Sequence, residues 1–232
     1  MADFERHARA VLADLAGRNG IAVLAGGTGL YLRAVTRRLD PAALPADPIL
    51  RARLRRELAQ RGLGPTVERL RALAPLTAAR IDLANPRRVE RALELAMLRG
   101  DEPLPPLGRY PGPLLQLGLA VEPAVLRERI VRRARAQFAA GLVDEAAALR
   151  ARFDPTLPAF SAIGYREAWA VLDGDLSLDA AIELDATHNA AFARRQRTWF
   201  RAESGYTWLD ATSADPTPAA IELARAFVDP GR

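Results

Sequence analysis

Cysteine is absent from the 232 residues. That excludes disulfides, thiolate metal sites and cysteine nucleophiles. Histidine occurs only at His7 and His188, too few donors for a structural zinc site, so no metal site is expected from the residues themselves. Lysine is missing as well: every one of the 33 basic residues is arginine. A Schiff-base lysine and a complete GxxxxGK[ST] phosphate loop are therefore excluded within these residues. No window of about 18 uninterrupted apolar residues occurs, so no membrane span is expected. The start Met-Ala-Asp-Phe-Glu-Arg is unlike a signal peptide, and a cytoplasmic location is the expectation. Aromatics make up only 6%, so the core must be mostly Leu, Ala and Val.

What is present is half apolar, with a formal net charge of +5. The wealth of Ala, Leu and Arg fits a GC-rich coding sequence. It also suits an anionic partner, because guanidinium favours planar, bidentate contacts to phosphate or carboxylate. Phe4, Ala8, Val11, Leu12 and Leu15 predict a helix over 2–17. Residues 21–24, Ile-Ala-Val-Leu, read as a short buried strand. Residues 25–29 read as a sharp Gly-rich turn and 30–35 as the start of a helix, an α/β idiom. The prolines of 40–48 mark an irregular connection. Residues 49–100 read as all helical, punctuated by Gly62, Gly64, Pro75 and Pro86, and a second Pro-rich stretch follows over 103–113. Strand character returns at 114–120. Helices are expected over 123–139, 144–152, 178–200 and 218–228, a loop leading into a helix over 161–172, and a strand over 206–209. The expected organisation is an α/β core of residues 1–45 and 106–232, interrupted by a helical insertion at 46–105.

Four patches carry possible chemistry, and each has a plain structural alternative. The turn Gly26-Gly-Thr28-Gly29 exposes N–H groups at a helix start, which suits an anion; it also serves simply as a tight turn. In Asn85-Pro86-Arg87-Arg88-Val89-Glu90-Arg91 a basic edge faces outward and suits a nucleic-acid backbone. The alternative is a solvated face with Glu90–Arg87 and Glu94–Arg91 pairs. The segment Ser161-Ala162-Ile163-Gly164-Tyr165-Arg166 places Arg166 to bind a diphosphate bidentately, or is a surface turn. Arg194-Arg195-Gln196-Arg197-Thr198-Trp199-Phe200-Arg201 offers phosphate contacts, an amide and a stacking surface. An amphipathic helix with snorkelling arginines fits the same residues. The carboxylates Glu122, Asp144, Glu145, Glu167 and Asp173 are scattered, with no spacing that marks a catalytic pair, and His7 and His188 read as surface residues.

In this order, the patches resemble the tRNA dimethylallyltransferase family. The carrying residues are 25–32 (AGGTGLYL), 46–51 (ADPILR), 79–82 (ARID), 85–94 (NPRRVERALE), 141–145 (GLVDE), 162–167 (AIGYRE) and 193–201 (ARRQRTWFR). The resemblance implies transfer of a dimethylallyl group from dimethylallyl diphosphate to the exocyclic amine of the adenosine next to the tRNA anticodon, assisted by magnesium. It implies a P-loop NTPase-like parallel-sheet core with a helical insertion that grips the anticodon stem-loop, and a target base flipped into a channel. It gives Thr28 and Arg166 catalytic positions. Thr28 is also implied to touch the target nucleotide, and Arg51 and residues 87–91 the tRNA. Residues 161–166 line the channel, with Arg166 at the diphosphate, and residues 194–201 complete the tRNA surface. A monomer without membrane contact is the expected state of the full-length enzyme.

Two departures stand against that pattern. The family's phosphate loop and its Asp-Ser motif, whose Asp is the general base, are not found here, so the chain reads as a member lacking about 100 leading residues, given ordinary domain sizes. Asn189-Ala190 stands where the family usually has Thr and a basic residue. The lost segment would leave residues 21–24 with an exposed edge and uncovered apolar faces, predicting marginal stability or self-association. A tRNA-binding remnant without catalysis, and a relative that prenylates free adenylate, are the alternative readings.

Overall fold

The computed structural model describes residues 2–18, 20–37, 44–103, 106 and 108–229. Parts of both Pro-rich connections, 40–43 and 104, 105 and 107, lie outside the described residues. Packing divides the chain into two compact units. One holds residues 1–26 and 30–112, the other 27–29 and 113–232. Residues 1–26 are thus grouped with the helical block, whereas the sequence pattern sets 1–45 with the later core.

In the first unit α1 (Ala2–Gly17) and α2 (Gly29–Thr36) meet through a stacked Phe4–Tyr31 pair, ring centroids 4.5 Å apart. The helical block comprises α3 (Pro48–Arg61), α4 (Leu63–Leu73), α5 (Pro75–Ala78) and α6 (Pro86–Arg99). Its starts are written in local chemistry. Asp47 and Asn85 accept hydrogen bonds from the first free amides of α3 and α6, and a proline follows each cap, where its missing N–H costs nothing. Asp101 does the same for α5, accepting from Leu76 N, Thr77 N and Thr77 Oγ1 at 2.7–2.9 Å. Leu50, Leu54, Val67, Leu70, Val89 and Leu93 recur at helical spacing and form one buried core.

In the second unit β1 (Gln116–Ala120) is followed by α7 (Pro123–Ala139), α8 (Leu142–Arg152), α9 (Tyr165–Leu172) and α10 (Leu178–Arg201). β2 (Tyr206–Asp210) and α11 (Thr217–Val228) complete it. β1 and β2 pair in parallel, Gln116 opposite Tyr206 and Ala120 opposite Asp210. The protein is an α/β chain of mostly helical content with a small parallel sheet. Arg129 on α7 donates to Ala211 O at 2.8 Å and Thr212 O at 2.9 Å, tying the helix to the end of β2. The unit's cores are small: Phe138, Ala146, Ala168 and Ala181 in one, Ile130, Ala134 and Ala186 in the other.

The strand expected at 21–24 is not formed. Those residues have no regular structure, and Ile21 and Val23 are 61% and 90% exposed. The pattern was apolar enough for a buried strand, but a strand needs a neighbour for its N–H and C=O groups. Among the described residues the sheet is β1 and β2 alone.

Candidate functional site

Helix α10 is the spine of the site. Asp185 stands three and four residues before His188 and Asn189, and Phe192, Gln196 and Trp199 follow at further steps of three or four, so they form one stripe along the helix. Two of the four sequence patches are fastened to that stripe.

The first is the Gly-rich turn. Gln196 Nε2 donates to the carbonyl of Gly27 at 2.9 Å. A Cβ on Gly27 would lie 2.1 Å from that Nε2, and one on Gly29 2.1 Å from Trp199 Cδ1. The glycines therefore permit the turn to lie against α10, with the Thr28 side chain left exposed between them. The tight-turn reading describes this patch: the turn docks on α10, and its exposed edge carries the Thr28 hydroxyl.

The second is the segment 161–166. Ser161 ends a 3-10 turn, Pro158–Ser161, and its Oγ donates to Pro158 O at 2.7 Å. Ala162 is exposed and Ile163 half-buried. Gly164 has φ 104°, a left-handed conformation that favours glycine. Its N–H donates to Glu167 Oε2 at 2.7 Å. Tyr165 donates its hydroxyl to Glu145 at 2.6 Å, which pushes the phenol up by stabilising its protonated form. Arg166 is exposed at the first turn of α9, with Glu167 at 3.8 Å.

Beneath this segment lies a polar cluster that the sequence reading did not assemble. Glu167 and Asp185 are each only 2% exposed. His188 Nδ1 lies 2.6 Å from Glu167 Oε1, so His188 is a partner of a buried carboxylate and not a plain surface residue. Burial alone would push the Glu167 carboxyl up. The Gly164 amide and His188 outweigh that and hold it below the usual range. Asp185 goes the other way: burial, then the charge of Glu167, raise it, although Asn189 Nδ2 donates to its Oδ1 at 3.1 Å. The signal in the sequence was the three-residue step from Asp185 to His188, but Glu167 is 21 positions from His188 and only folding brings it there.

Phe192 was also missed. It is exposed on the same stripe between His188 and Gln196, with the Arg195 guanidinium 5.6 Å from its ring centroid. From His188 to Gln196 the helix rises about 12 Å, so the two fastened loops flank this aromatic. Further along, Arg194, Arg195, Arg197, Thr198 and Arg201 are exposed, and Gln196, Trp199 and Phe200 half-buried. Phe200 packs edge-on against Tyr206, 5.6 Å between centroids, as the amphipathic-helix reading expects.

The first unit corrects the expected basic edge. Arg87 and Arg88 are exposed, but Val89 and Glu90 are buried. Glu90 pairs with Arg55 at 3.1 Å, not with Arg87. Glu94 is fully buried and takes Arg51 Nη2 at 2.8 Å and Arg91 Nη1 at 2.7 Å. Arg91 also donates to the carbonyls of Leu44 and Pro45. Burial would raise the Glu94 carboxyl; the two arginines and the Asp47 amide hold it down. Helix periodicity explains the correction: a run of five residues covers more than a full turn, so it cannot all face outward. Among the described residues no group of three Asp, Glu or His side chains is placed to hold a metal ion. No helix among them is long and apolar enough to cross a membrane.

A family model described as IPP transferase matches residues 1–203. The tRNA dimethylallyltransferase of Bordetella pertussis is 39% identical over an alignment covering 98% of this chain and 76% of that protein. That of Thiobacillus denitrificans is 41% identical, covering 95% and 72%. The crystal structure of the tRNA isopentenylpyrophosphate transferase of Bacillus halodurans superposes with a TM-score of 0.66 at 33% identity, covering 98% of this chain and 72% of that one. A eukaryotic dimethylallyltransferase acting on tRNA shares the fold, with a TM-score of 0.70 at 20% identity. By sequence and by fold, the chain belongs to the IPP transferase family.

Proposed function

We propose that this protein takes part in transferring a dimethylallyl group from dimethylallyl diphosphate to the exocyclic amine of the adenosine beside the tRNA anticodon. The observation that carries the reading is the α10 stripe, which fastens the Thr28 turn and the Gly164–Arg166 segment about 12 Å apart on one helix, with exposed Phe192 between them. A bond forms between the amine nitrogen and the terminal carbon of the dimethylallyl group, the carbon–oxygen bond to diphosphate breaks, and diphosphate leaves. One amine proton goes to a base, which the family resemblance puts in the Asp-Ser motif not found in these 232 residues. Thr28 hydrogen-bonds the target nucleotide, and Arg166 supports the leaving diphosphate through its guanidinium. The exposed Arg194, Arg195, Arg197 and Arg201 take the RNA backbone, and Arg87 and Arg88 hold the anticodon loop from the helical block. Arg51 and Arg91 are assigned to the same surface, with part of their donor capacity already given to Glu94.

A P-loop NTPase-like core, a cytoplasmic location and a monomeric full-length enzyme complete the reading. Magnesium would assist diphosphate departure, but the described residues offer no donor cluster for it, and no step is routed through it. A second reading, tRNA binding without transfer by these residues alone, is favoured by the absence of any lysine-bearing phosphate loop within them. The deciding experiment incubates the protein with an anticodon stem-loop, free AMP and labelled dimethylallyl diphosphate. Label in the adenosine with release of diphosphate supports transfer. Salt-dependent binding with no label in RNA supports the second reading, and label in free adenylate but not RNA would refute both.

A further inference from the structure

α7 carries an arginine-lined face, adjoining Arg194 and Arg197 of α10, that the proposed site does not use. Between the two helices lies a groove of about 110 Å³, edged by Arg127, Arg194 and Arg197 over an apolar floor that includes Leu126, Ile130 and Ala193. The groove opens at Arg127 onto the outer side of α7. There Arg127, Arg132 and Arg135, with the carboxylate of Glu128 among them, border a wider concavity of about 530 Å³. All of these arginines except those on α10 lie outside the motifs that carry the family resemblance.

Neighbouring arginines show what a structural role looks like on the same helix. Arg129 binds two carbonyls beyond β2, and Arg133 donates to Asn189 Oδ1 at 3.3 Å. The guanidinium groups of Arg127, Arg132, Arg135, Arg194 and Arg197 have no ion-pair or hydrogen-bond partner among the described residues. Glu128 offsets one of these charges at the wider concavity, and holding the remaining like charges together works against the folded state unless an anion joins them. The narrow groove is far below the roughly 300 Å³ or more that encloses a small molecule. The wider concavity is lined by residues of one helix alone, so it is a surface and not a closed pocket. Both fit a polymer laid across them. Arg127 to Arg135 spans about 12 Å along α7, enough to meet more than one phosphate. An apolar floor beneath guanidinium groups lowers the local dielectric and strengthens each ionic contact.

We infer that Arg194, Arg197, Arg127, Arg132 and Arg135 form a track for the sugar-phosphate backbone of RNA, leading from α10 across α7. The inference rests on the tRNA reading above and extends its footprint onto α7.

Binding of full-length tRNA to the whole protein, measured by fluorescence anisotropy across a salt series, tests it. Replacing Arg127, Arg132 and Arg135 together by Ala removes up to three phosphate contacts. The slope of log affinity against log salt should fall by about 2, and affinity at physiological salt by about tenfold or more. The matching Lys triple variant keeps the charges and should retain most of the slope. An Ala triple variant with unchanged affinity and slope would overturn the track, as would a Lys variant that loses as much as the Ala one. Arg194→Ala separates this from the broader reading. If the unaltered protein binds tRNA and Arg194→Ala weakens it while the α7 triple does not, the track alone fails. If the unaltered protein shows no salt-dependent tRNA binding, the tRNA reading fails and the track with it.

Discussion

Two side-chain positions decide how the site is held. At Gly29 an added methyl group meets the Trp199 ring at 2.1 Å. Gly29→Ala must therefore push the turn away from α10. Overpacking of this kind typically costs about 1–3 kcal/mol, read as a lower midpoint in urea, with weakened tRNA binding. Gln196→Ala loses only the hydrogen bond to Gly27 and should cost about 1 kcal/mol; equal losses from the two variants would show that the turn does not need to lie so close. Asp185 makes the opposite prediction. Its carboxyl is raised by burial and by Glu167, so it favours the folded state only when protonated. That contribution is present below the ordinary Asp range and is lost as pH rises through the raised value. Asp185→Asn keeps the acceptor for Asn189 and removes the charge, and should stabilise the protein at pH 7 by about 1 kcal/mol. The gain should shrink toward zero in acid, and denaturant unfolding at both pH values checks it.

Among the elements, α6 and α10 carry the polar anchors. Glu94 on α6 collects Arg51 from α3 and Arg91 from its own helix. Removing a buried carboxylate from such a set strands its partners, at about 3 kcal/mol, so Glu94→Ala should unfold the helical block at markedly lower urea. Because Glu94 is held below the usual range, its contribution is full above the ordinary Glu value and is lost as pH falls through the lowered one. The Ala variant should accordingly show a flatter acid limb than the unaltered protein. On α10, Phe192 keeps 39% of its surface exposed. Phe192→Ala should lower stability by about 1 kcal/mol and weaken anticodon stem-loop binding by about 1–3 kcal/mol if a base stacks there. Unchanged RNA binding would remove Phe192 from the site. Helical stretches were legible, and the breaks at Gly62, Pro75 and Pro86 within 49–100 fall at helix ends or starts, because such punctuation acts within a few residues of itself. The Glu167–His188 contact was not, because it joins two helices through a loop whose length says nothing of where they meet.

On the scale of the whole molecule, the apolar run at 21–24 stands uncovered among the described residues. Exposed Ile21, Val23 and Leu24 form a contiguous apolar stretch of the kind that drives association. The protein should sediment with a concentration-dependent mass, and Ile21→Ser with Val23→Ser should reduce that dependence. A sharp, cooperative, monomeric unfolding transition in the unaltered protein would contradict this. Net positive charge of +5 does not prevent contact between patches this apolar, since surface charge repulsion is screened within about 10 Å at 0.1 M salt.

The amino-acid sequence by itself determined most helical segments, the strand segments expected at 114–120 and 206–209, and the family, because periodicity and short motifs are local. It also placed Thr28 and Arg166 next to their glycines. Tertiary structure alone decided that Gln196 and Trp199 seat the Gly27–Gly29 turn and that Glu167 and Asp185 share a buried site. It also decided that Glu94 turns Arg51 and Arg91 partly inward and that 21–24 pairs with no strand among the described residues. Each of those depends on contacts between residues far apart in the chain, or on the absence of a neighbour, and neither is encoded in any short stretch of residues.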